Sequence, residues 1–101
     1  MILNENFLES FVLMCQVITK PARLKIIHEI GNNKVNVSDL QKQLNMPMSN
    51  LSNHLNDLYR SGILGKEKQG NYVYYYLKEP ELLQGLSRMQ EIINSINSRR
   101  K

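Results

Sequence analysis

The sequence predicts a mainly helical fold with one small β-hairpin, in the element order α-α-α-α-β-β-α. Three observations support this fold class: apolar residues recur at helical spacing in five segments, one Tyr-rich segment has strand composition, and no apolar run is long enough to cross a bilayer. The chain has 101 residues, of which 42% are apolar and 22% are charged. These values are typical of one globular domain over residues 1–101, and they argue against a two-domain enzyme or a membrane protein.

The first helix is predicted within residues 1–19. Its apolar stripe recurs every three or four residues and consists of Leu3, Phe7, Phe11, Met14 and Ile18. A second apolar row lies beside the first and consists of Leu8, Val12 and Cys15. The combined stripe is wider than one small core requires.

Residues 21–45 are expected to form two short helices. Pro21 can take the first position of the second helix, where a missing N–H has no cost, and Gly31 follows the end of that helix. The apolar residues of the second helix are Leu24, Ile26, Ile27 and Ile30. The third helix is predicted over residues 36–45, with either Asn36 or Ser38 as its cap. Its buried face is expected to consist of Val37, Leu40 and Leu44.

The fourth helix follows the turn Asn45-Met46-Pro47, and with the third helix it fits a helix-turn-helix unit. Its apolar positions are Met48, Leu51, Leu55 and Leu58. The opposite side chains are short, uncharged and rich in hydrogen-bonding groups: Ser49, Asn50, Ser52, Asn53, His54 and Asn56. Because Ser and Asn are poor helix formers, their use here favours reading of base edges in a major groove. The alternative is an ordinary exposed polar face.

Beyond Ser61-Gly62 the pattern becomes that of a hairpin. Gly70-Asn71 suits a two-residue turn, and a Tyr-rich strand follows over residues 72–77. The residues expected to face the core are Val73, Tyr75 and Leu77. A basic hairpin directly after a helix-turn-helix unit is a wing whose tip can reach phosphates. The candidate wing contacts are Lys66, Lys68, Asn71 and Tyr72.

The last helix is predicted over residues 79–98 and carries a narrow apolar seam. Two heptads are too few for a free coiled coil, so we predict a homodimer in which residues 1–19 and 79–98 form the interface. The predicted interface residues are Phe7, Phe11, Met14, Leu82, Leu86, Met89, Ile93 and Ile96. The alternative is that both terminal helices fold onto the central unit of their own chain.

The element order and four stretches of sequence resemble the ArsR family of bacterial winged-helix repressors. The stretches are residues 21–27 (PARLKII), 49–58 (SNLSNHLNDL), 61–64 (SGIL) and 70–77 (GNYVYYYL). The resemblance covers about residues 18–78, and the Ser-x-His-Leu of the fourth helix with the Tyr-Tyr-x-Leu of the wing is its most specific part. It implies a homodimer that binds double-stranded DNA at an inverted-repeat operator and blocks transcription until an effector releases it. By position, the implied base readers are Ser49, Asn50, Ser52, Asn53 and His54.

The chain departs from the metal-sensing members of that family. Those members often carry Cys-x-Cys-Asp where the third helix begins, and this chain has Asn36-Val37-Ser38-Asp39. Because amides and hydroxyls bind soft and borderline metals poorly, we expect no metal and no cofactor, and the effector stays unidentified. Cys15, the only cysteine, is interpreted as a small buried core residue or, alternatively, as a redox switch or an intersubunit disulfide.

Charge and composition limit the function further. The chain has 13 Lys+Arg against 9 Asp+Glu. A basic middle segment lies between two mildly acidic segments, and the second acidic segment is followed by the basic tail Arg99-Arg100-Lys101. This distribution suits a centre that contacts phosphate. No nucleophile–base spacing and no phosphate-binding Gly loop is present, so we do not expect an enzyme, and a lone cysteine fits the reducing cytoplasm. A protein-interaction module on the same fold is the alternative function.

His54 has two interpretations. It can read a base, in which case protonation near phosphate would raise DNA affinity below a pH of ~6.5. Alternatively it makes a structural hydrogen bond within its helix.

Overall fold

The structure, a computed structural model, describes residues 1–100 of the chain. Within these residues there are five helices and three strands. In chain order they are α1 (Glu5–Ile18), α2 (Pro21–Ile30), β1 (Val35–Asn36), α3 (Val37–Leu44), α4 (Met48–Arg60), β2 (Leu64–Gln69), β3 (Tyr72–Leu77) and α5 (Leu82–Arg99). The predicted fold class is confirmed, with one strand added. Lys101, the last residue of the predicted basic tail, lies outside the described residues.

The helix ends follow from local capping. Asn4 caps α1 by accepting a hydrogen bond from the amide of Phe7 at 2.8 Å, so Leu3 of the predicted stripe lies before the helix. Pro21 occupies the first turn of α2, as predicted, and Gly31 ends that helix with a φ of 54°. Of the two candidate caps of α3, Asn36 is the one used, because its side chain accepts from the amide of Asp39 at 2.9 Å.

The three strands form one antiparallel sheet in the order β1-β3-β2. Gln69 pairs with Tyr72, so Gly70-Asn71 is the two-residue turn that the sequence predicts, and Gly70 has a φ of 61°. Gly65 lies opposite Tyr76, and a Cβ at Gly65 would overlap the Tyr76 ring. The sequence does not predict β1, because two residues are too few to show a strand period.

The core lies where α2, α3 and α4 meet the sheet. Its buried apolar residues are Ile18, Ile26, Ile27, Ile30, Leu40, Leu51, Leu55, Leu58, Ile63, Leu64 and Leu77. Tyr75 packs against this cluster, as predicted for the inward face of β3. The core thus anchors both α4 and the hairpin to one rigid unit.

Two helical positions differ from the predicted core. Leu24 is 37% exposed, and the buried positions of α2 are instead Arg23, Ile26, Ile27 and Ile30. This set has the i, i+3, i+4, i+7 spacing of one helix face. Its three isoleucines are predicted correctly, but its first member is charged, so a pattern of apolar residues alone selects Leu24 in place of Arg23. Met48, at the start of α4, is also exposed rather than buried.

The terminal helices contribute little to the core. Ile18 is the only buried residue of α1, and α5 has none. Leu82 and Leu86 of the predicted interface are half-buried and pack against the core of their own chain, and their contact with a partner stays a prediction. The later seam residues Met89, Ile93 and Ile96 are exposed. Within residues 1–100, no helix combines the length and the apolar character needed to cross a membrane.

Candidate nucleic-acid interface

Helix α4 presents a polar face opposite three fully buried leucines. Leu51, Leu55 and Leu58 fix one side of the helix in the core. The exposed residues on its polar face are Ser49, Asn50, Ser52, Asn53 and Asn56. In the described part of the chain, none of their side chains makes a hydrogen bond. The predicted face is therefore rigidly held while its donors and acceptors stay open to a partner.

The turn before α4 leaves the helix N-terminus open. Asn45 ends α3 in the left-handed conformation with a φ of 50°, and Pro47 stands at the N-cap of α4 without a capping side-chain bond. The first amides of α4 thus have no side-chain acceptor, and such amides with the helix dipole favour a nearby negative charge. Ser49 and Asn50 lie in this first turn.

Arg23 joins three helices through its guanidinium group. Nη1 donates to the backbone oxygen of Val17 in α1 at 3.1 Å, and Nε donates to Nδ1 of His54 in α4 at 3.1 Å. Nη2 donates to the carboxylate of Asp57, also in α4. The planar fork of donors suits several partners at once, and here it fixes α4 against α1 and α2.

The sequence reasoning missed Arg23 as a site residue. The signal was present in the spacing: Arg23 begins the buried i, i+3, i+4, i+7 set of α2, and His54 and Asp57 are three residues apart on α4. A buried cation needs hydrogen-bond acceptors, and those two side chains supply them.

His54 is half-buried, unlike the rest of the polar face. Its hydrogen bond runs to Arg23 on another helix, so the structural bond expected within α4 is not the one observed. Burial lowers the pKa of the imidazole below its ordinary value of 6.5, and the charges of Arg23 and Lys20 lower it further, while Asp57 acts in the opposite direction. Charging of His54 therefore requires a lower pH than the sequence suggests.

The hairpin places its lysines in different surroundings. The Lys66 ammonium lies 4.3 Å from the centre of the Tyr59 ring, in a cation–π contact. Lys34 forms an ion pair with Glu67 at 2.8 Å, and this hydrogen bond raises the pKa of Lys34 and lowers that of Glu67. Lys68 is exposed and has no ion-pair partner within residues 1–100.

At the tip of the hairpin, Asn71 and Tyr72 are exposed, as a wing contact requires. The four predicted wing residues thus lie on one hairpin. Among them, Lys68 carries the charge that is most accessible to a partner.

The exposed apolar residues of α1 and α5 form a second surface. Phe7 and Phe11 stack with ring centres 5.5 Å apart, and both are exposed with Met14. A groove of about 630 Å³ lies between α2 and α5, lined in part by Leu24, Met89 and Ile93. We call six of the exposed apolar side chains of these two helices the terminal-helix surface: Phe7, Phe11, Met14, Met89, Ile93 and Ile96.

The remaining candidate groups are isolated. Cys15 is half-buried rather than fully buried, so its prediction as a core residue is only partly met. In the part of the chain that the structure describes, no three His, Cys, Asp or Glu side chains are close enough to hold a metal ion.

Comparison with known proteins points to one family. The family model "Bacterial regulatory protein, arsR family" matches residues 20–66. The chain is 30% identical over 80 residues to the transcriptional activator HlyU of Vibrio cholerae, covering 79% of this chain and 73% of that protein. It is 25% identical over 79 residues to the transcriptional repressor SdpR of Bacillus subtilis, covering 78% and 88%. It is 29% identical over 69 residues to the cadmium resistance regulatory protein CadC of Listeria innocua, covering 67% of this chain but only 58% of that protein.

Solved structures share the fold. HlyU from Vibrio cholerae matches with a TM-score of 0.79 at 26% identity, covering 85% of this chain and 97% of that one. The homodimeric winged helix-turn-helix DNA-binding domain of Mb0332 from Mycobacterium bovis matches with a TM-score of 0.80 at 15% identity, covering 93% and 87%. The second likeness concerns the fold alone.

Proposed function

Because this chain belongs to the arsR family of bacterial regulatory proteins, we propose that it is a homodimeric, sequence-specific DNA-binding transcriptional regulator of the bacterial cytoplasm. Its target is an inverted repeat in double-stranded DNA, and each subunit inserts α4 into one major groove. The observation that carries the proposal is the polar face of α4, which combines buried leucines on one side with open amides and hydroxyls on the other.

The chemistry of that face suits base recognition. Asn side chains can donate to and accept from adenine at its N6 and N7 atoms, and Ser hydroxyls can pair with several base edges. Asn50 and Asn53 are three residues apart, so they lie on neighbouring turns of α4 and can address neighbouring base pairs. The backbone amides of the first turn of α4, which have no side-chain acceptor, can donate to a phosphate at the groove wall.

The wing supplies backbone contacts in this proposal. Lys68, Asn71 and Tyr72 lie at or near the hairpin tip, and Lys68 has the charge to contact phosphate. Such contacts position the protein on the duplex without selecting its sequence.

The terminal-helix surface is the dimer interface in this proposal. Exposed aromatic and aliphatic side chains on both helices are costly in water, and a second copy of the chain can cover them. A two-fold pair then places the two α4 helices about 34 Å apart, which is one turn of DNA and requires an inverted repeat.

Repression is the mode of action that we propose. A dimer bound over a promoter blocks polymerase by occupancy, and no further contact is needed. SdpR is a repressor and HlyU is an activator, so related proteins act in both directions.

Selection of bound duplexes from a random pool tests the proposal, followed by binding of the selected site at increasing salt. We expect enrichment of an inverted repeat and a steep loss of affinity with salt, because phosphate contacts release counterions. Failure to bind any duplex at low salt, by a protein that is folded and dimeric, would contradict the proposal and favour a protein-interaction module.

A further inference from the structure

Arg23 determines which nitrogen of the His54 ring carries the hydrogen atom. The guanidinium is an obligatory donor and stays protonated at any ordinary pH. Its Nε atom lies 3.1 Å from Nδ1 of His54, so Nδ1 must offer a lone pair. The neutral imidazole has one hydrogen, and with Nδ1 as acceptor this hydrogen resides on Nε2.

The Nε2 atom of His54 has no partner in the part of the chain that the structure describes. Every buried side-chain nitrogen or oxygen of residues 1–100 has a hydrogen-bond partner, so this unpartnered atom is not buried. His54 follows Asn53 directly and is four residues after Asn50, which places it beside the exposed polar face of α4. A single N–H donor is therefore available at the edge of that face.

Burial and the net effect of the neighbouring charges disfavour protonation of the His54 ring. Arg23 of α2 and Lys20, in the connection before α2, repel a positive charge, and the carboxylate of Asp57 on α4 is engaged by Arg23. Asp57 favours the charged imidazole, but burial, Arg23 and Lys20 together outweigh it, so the pKa of His54 is lowered. The donor character of Nε2 does not depend on protonation of His54.

We propose that Arg23 is a positioning residue which holds His54 in the Nε2–H form, so that His54 donates one hydrogen bond to an acceptor atom of the operator. This proposal rests on the proposed DNA-binding function of α4. The acceptor is a base-edge atom of the major groove, such as guanine O6 or N7 or thymine O4, or a phosphate oxygen at the groove wall.

The first test is the tautomer of His54 in the free protein. Long-range ¹⁵N–¹H correlation spectra distinguish the two neutral forms and the charged form of each histidine ring. We expect the Nε2–H form for His54 from neutral pH to below 6.5, with His28 as the internal comparison. An Nδ1–H ring or a charged ring at neutral pH would overturn the proposal. This readout needs no DNA, so it is independent of the proposed function.

The second test uses two substitutions of His54, each of which keeps the function of only one of the two ring nitrogens. His54→Asn places an amide oxygen near the position of Nδ1 and keeps an acceptor for Arg23, but it removes the outer donor. His54→Gln places its amide near the position of Nε2 and keeps a donor, but it removes the anchor. We expect roughly tenfold weaker operator binding for His54→Asn and partial retention for His54→Gln.

Single-base variants of the selected operator then identify the acceptor. If it is a base-edge atom, His54→Asn loses preference at one base step only. If it is a phosphate oxygen, His54→Asn weakens all sequences equally and leaves the salt dependence unchanged, because a neutral ring releases no counterion. Operator binding by His54→Asn equal to that of the unaltered chain would overturn the donor role, whereas absence of operator binding by the unaltered chain would instead contradict the proposed function.

Arg23→Lys tests the positioning role. A lysine keeps the charge but has no planar fork, so it cannot serve Val17, His54 and Asp57 together. We expect the His54 ring of this variant to populate both neutral forms in the same spectra, with the fold checked by its amide spectrum. Should the variant not fold, the tautomer of the unaltered chain and the His54 pair decide the matter.

Discussion

The central unit and the terminal helices of this chain differ in how far their apolar side chains are buried. In α2, α3, α4 and the sheet, apolar side chains face one another and the core is closed. In α1 and α5, most apolar side chains stay exposed although their spacing is also helical, with Met89 at 53%. The difference teaches that helical periodicity reports an apolar face but not its partner. The central unit needs only its own chain, and we propose that a second copy of the chain covers the terminal helices.

The largest expected effect on the free energy of unfolding comes from a substitution in the closed core. Leu55→Ala removes a side chain that is 1% exposed and leaves a cavity, so we expect the free energy of unfolding to fall by ~2–5 kcal/mol. Leu3→Ala is the matched control, because Leu3 is 61% exposed. Denaturant unfolding at one fixed protein concentration measures both. Equal losses for the two variants would contradict the placement of the core.

The next largest effect is expected on dimerisation, from a substitution in the terminal-helix surface. Met89→Glu introduces two like charges into an apolar two-fold contact, and we expect the free energy of association to weaken by several kcal/mol. Sedimentation should show a monomer at concentrations where the unaltered chain is a dimer. Gln84→Glu adds the same charge on the opposite side of α5 and should leave the dimer intact. A stable Met89→Glu dimer would show that the interface lies elsewhere.

A smaller effect is expected on the reading face. Asn53→Ala should weaken operator binding by ~1–3 kcal/mol and reduce the preference at one base step, because the variant cannot make a specific pair of hydrogen bonds to that base. Asn97→Ala on α5 is the control, with no expected change. An equal weakening on random duplexes would reassign Asn53 to the DNA backbone.

The wing should affect affinity without affecting preference. Lys68→Ala is expected to weaken all sequences alike and to reduce the salt slope by about one for each phosphate that the lysine neutralises. Lys25→Ala on α2 provides a substitution of the same charge away from the hairpin. Binding measured from low to moderate salt decides the point, and an unchanged slope for Lys68→Ala would show that the wing does not contact phosphate.

The smallest effect concerns pH. Because the pKa of His54 is lowered on folding, the unfolded chain binds more protons just below pH 6.5 than the folded chain does. Stability is therefore complete above pH 6.5 and decreases slightly as the pH falls towards the lowered pKa. Denaturant midpoints at several pH values should show this slope, and His54→Asn should reduce it. A slope of the opposite sign would contradict the surroundings assigned to His54.

The sequence predicts most of the fold because its signals are local. Helical spacing, Pro21 at a helix start and Gly70-Asn71 at a turn each depend on a few neighbouring residues, and each prediction is confirmed. Strand β1 was missed because its pairing with β3 joins distant parts of the chain. On the buried side of α2, Ile26, Ile27 and Ile30 are as predicted, and only Leu24 is wrong, because Arg23, a charged residue, occupies the remaining core position.

The candidate site was predictable in outline but not in its connections. The polar face of α4 is a property of one helix, so Ser49, Asn50, Ser52 and Asn53 could be selected from the sequence. The bond from Arg23 to His54 spans 31 residues, and no local pattern specifies it. The roles of these residues towards DNA stay predictions.

Operator spacing provides the most direct test of the central claim, that two copies of α4 read DNA together. The selected inverted repeat is compared with one in which about five base pairs are inserted between the half-sites, which turns one half-site to the opposite side of the duplex. The account predicts a large loss of affinity for the altered spacing, down to that of a single half-site. Equal affinity for both spacings, or for unrelated duplexes, would contradict it.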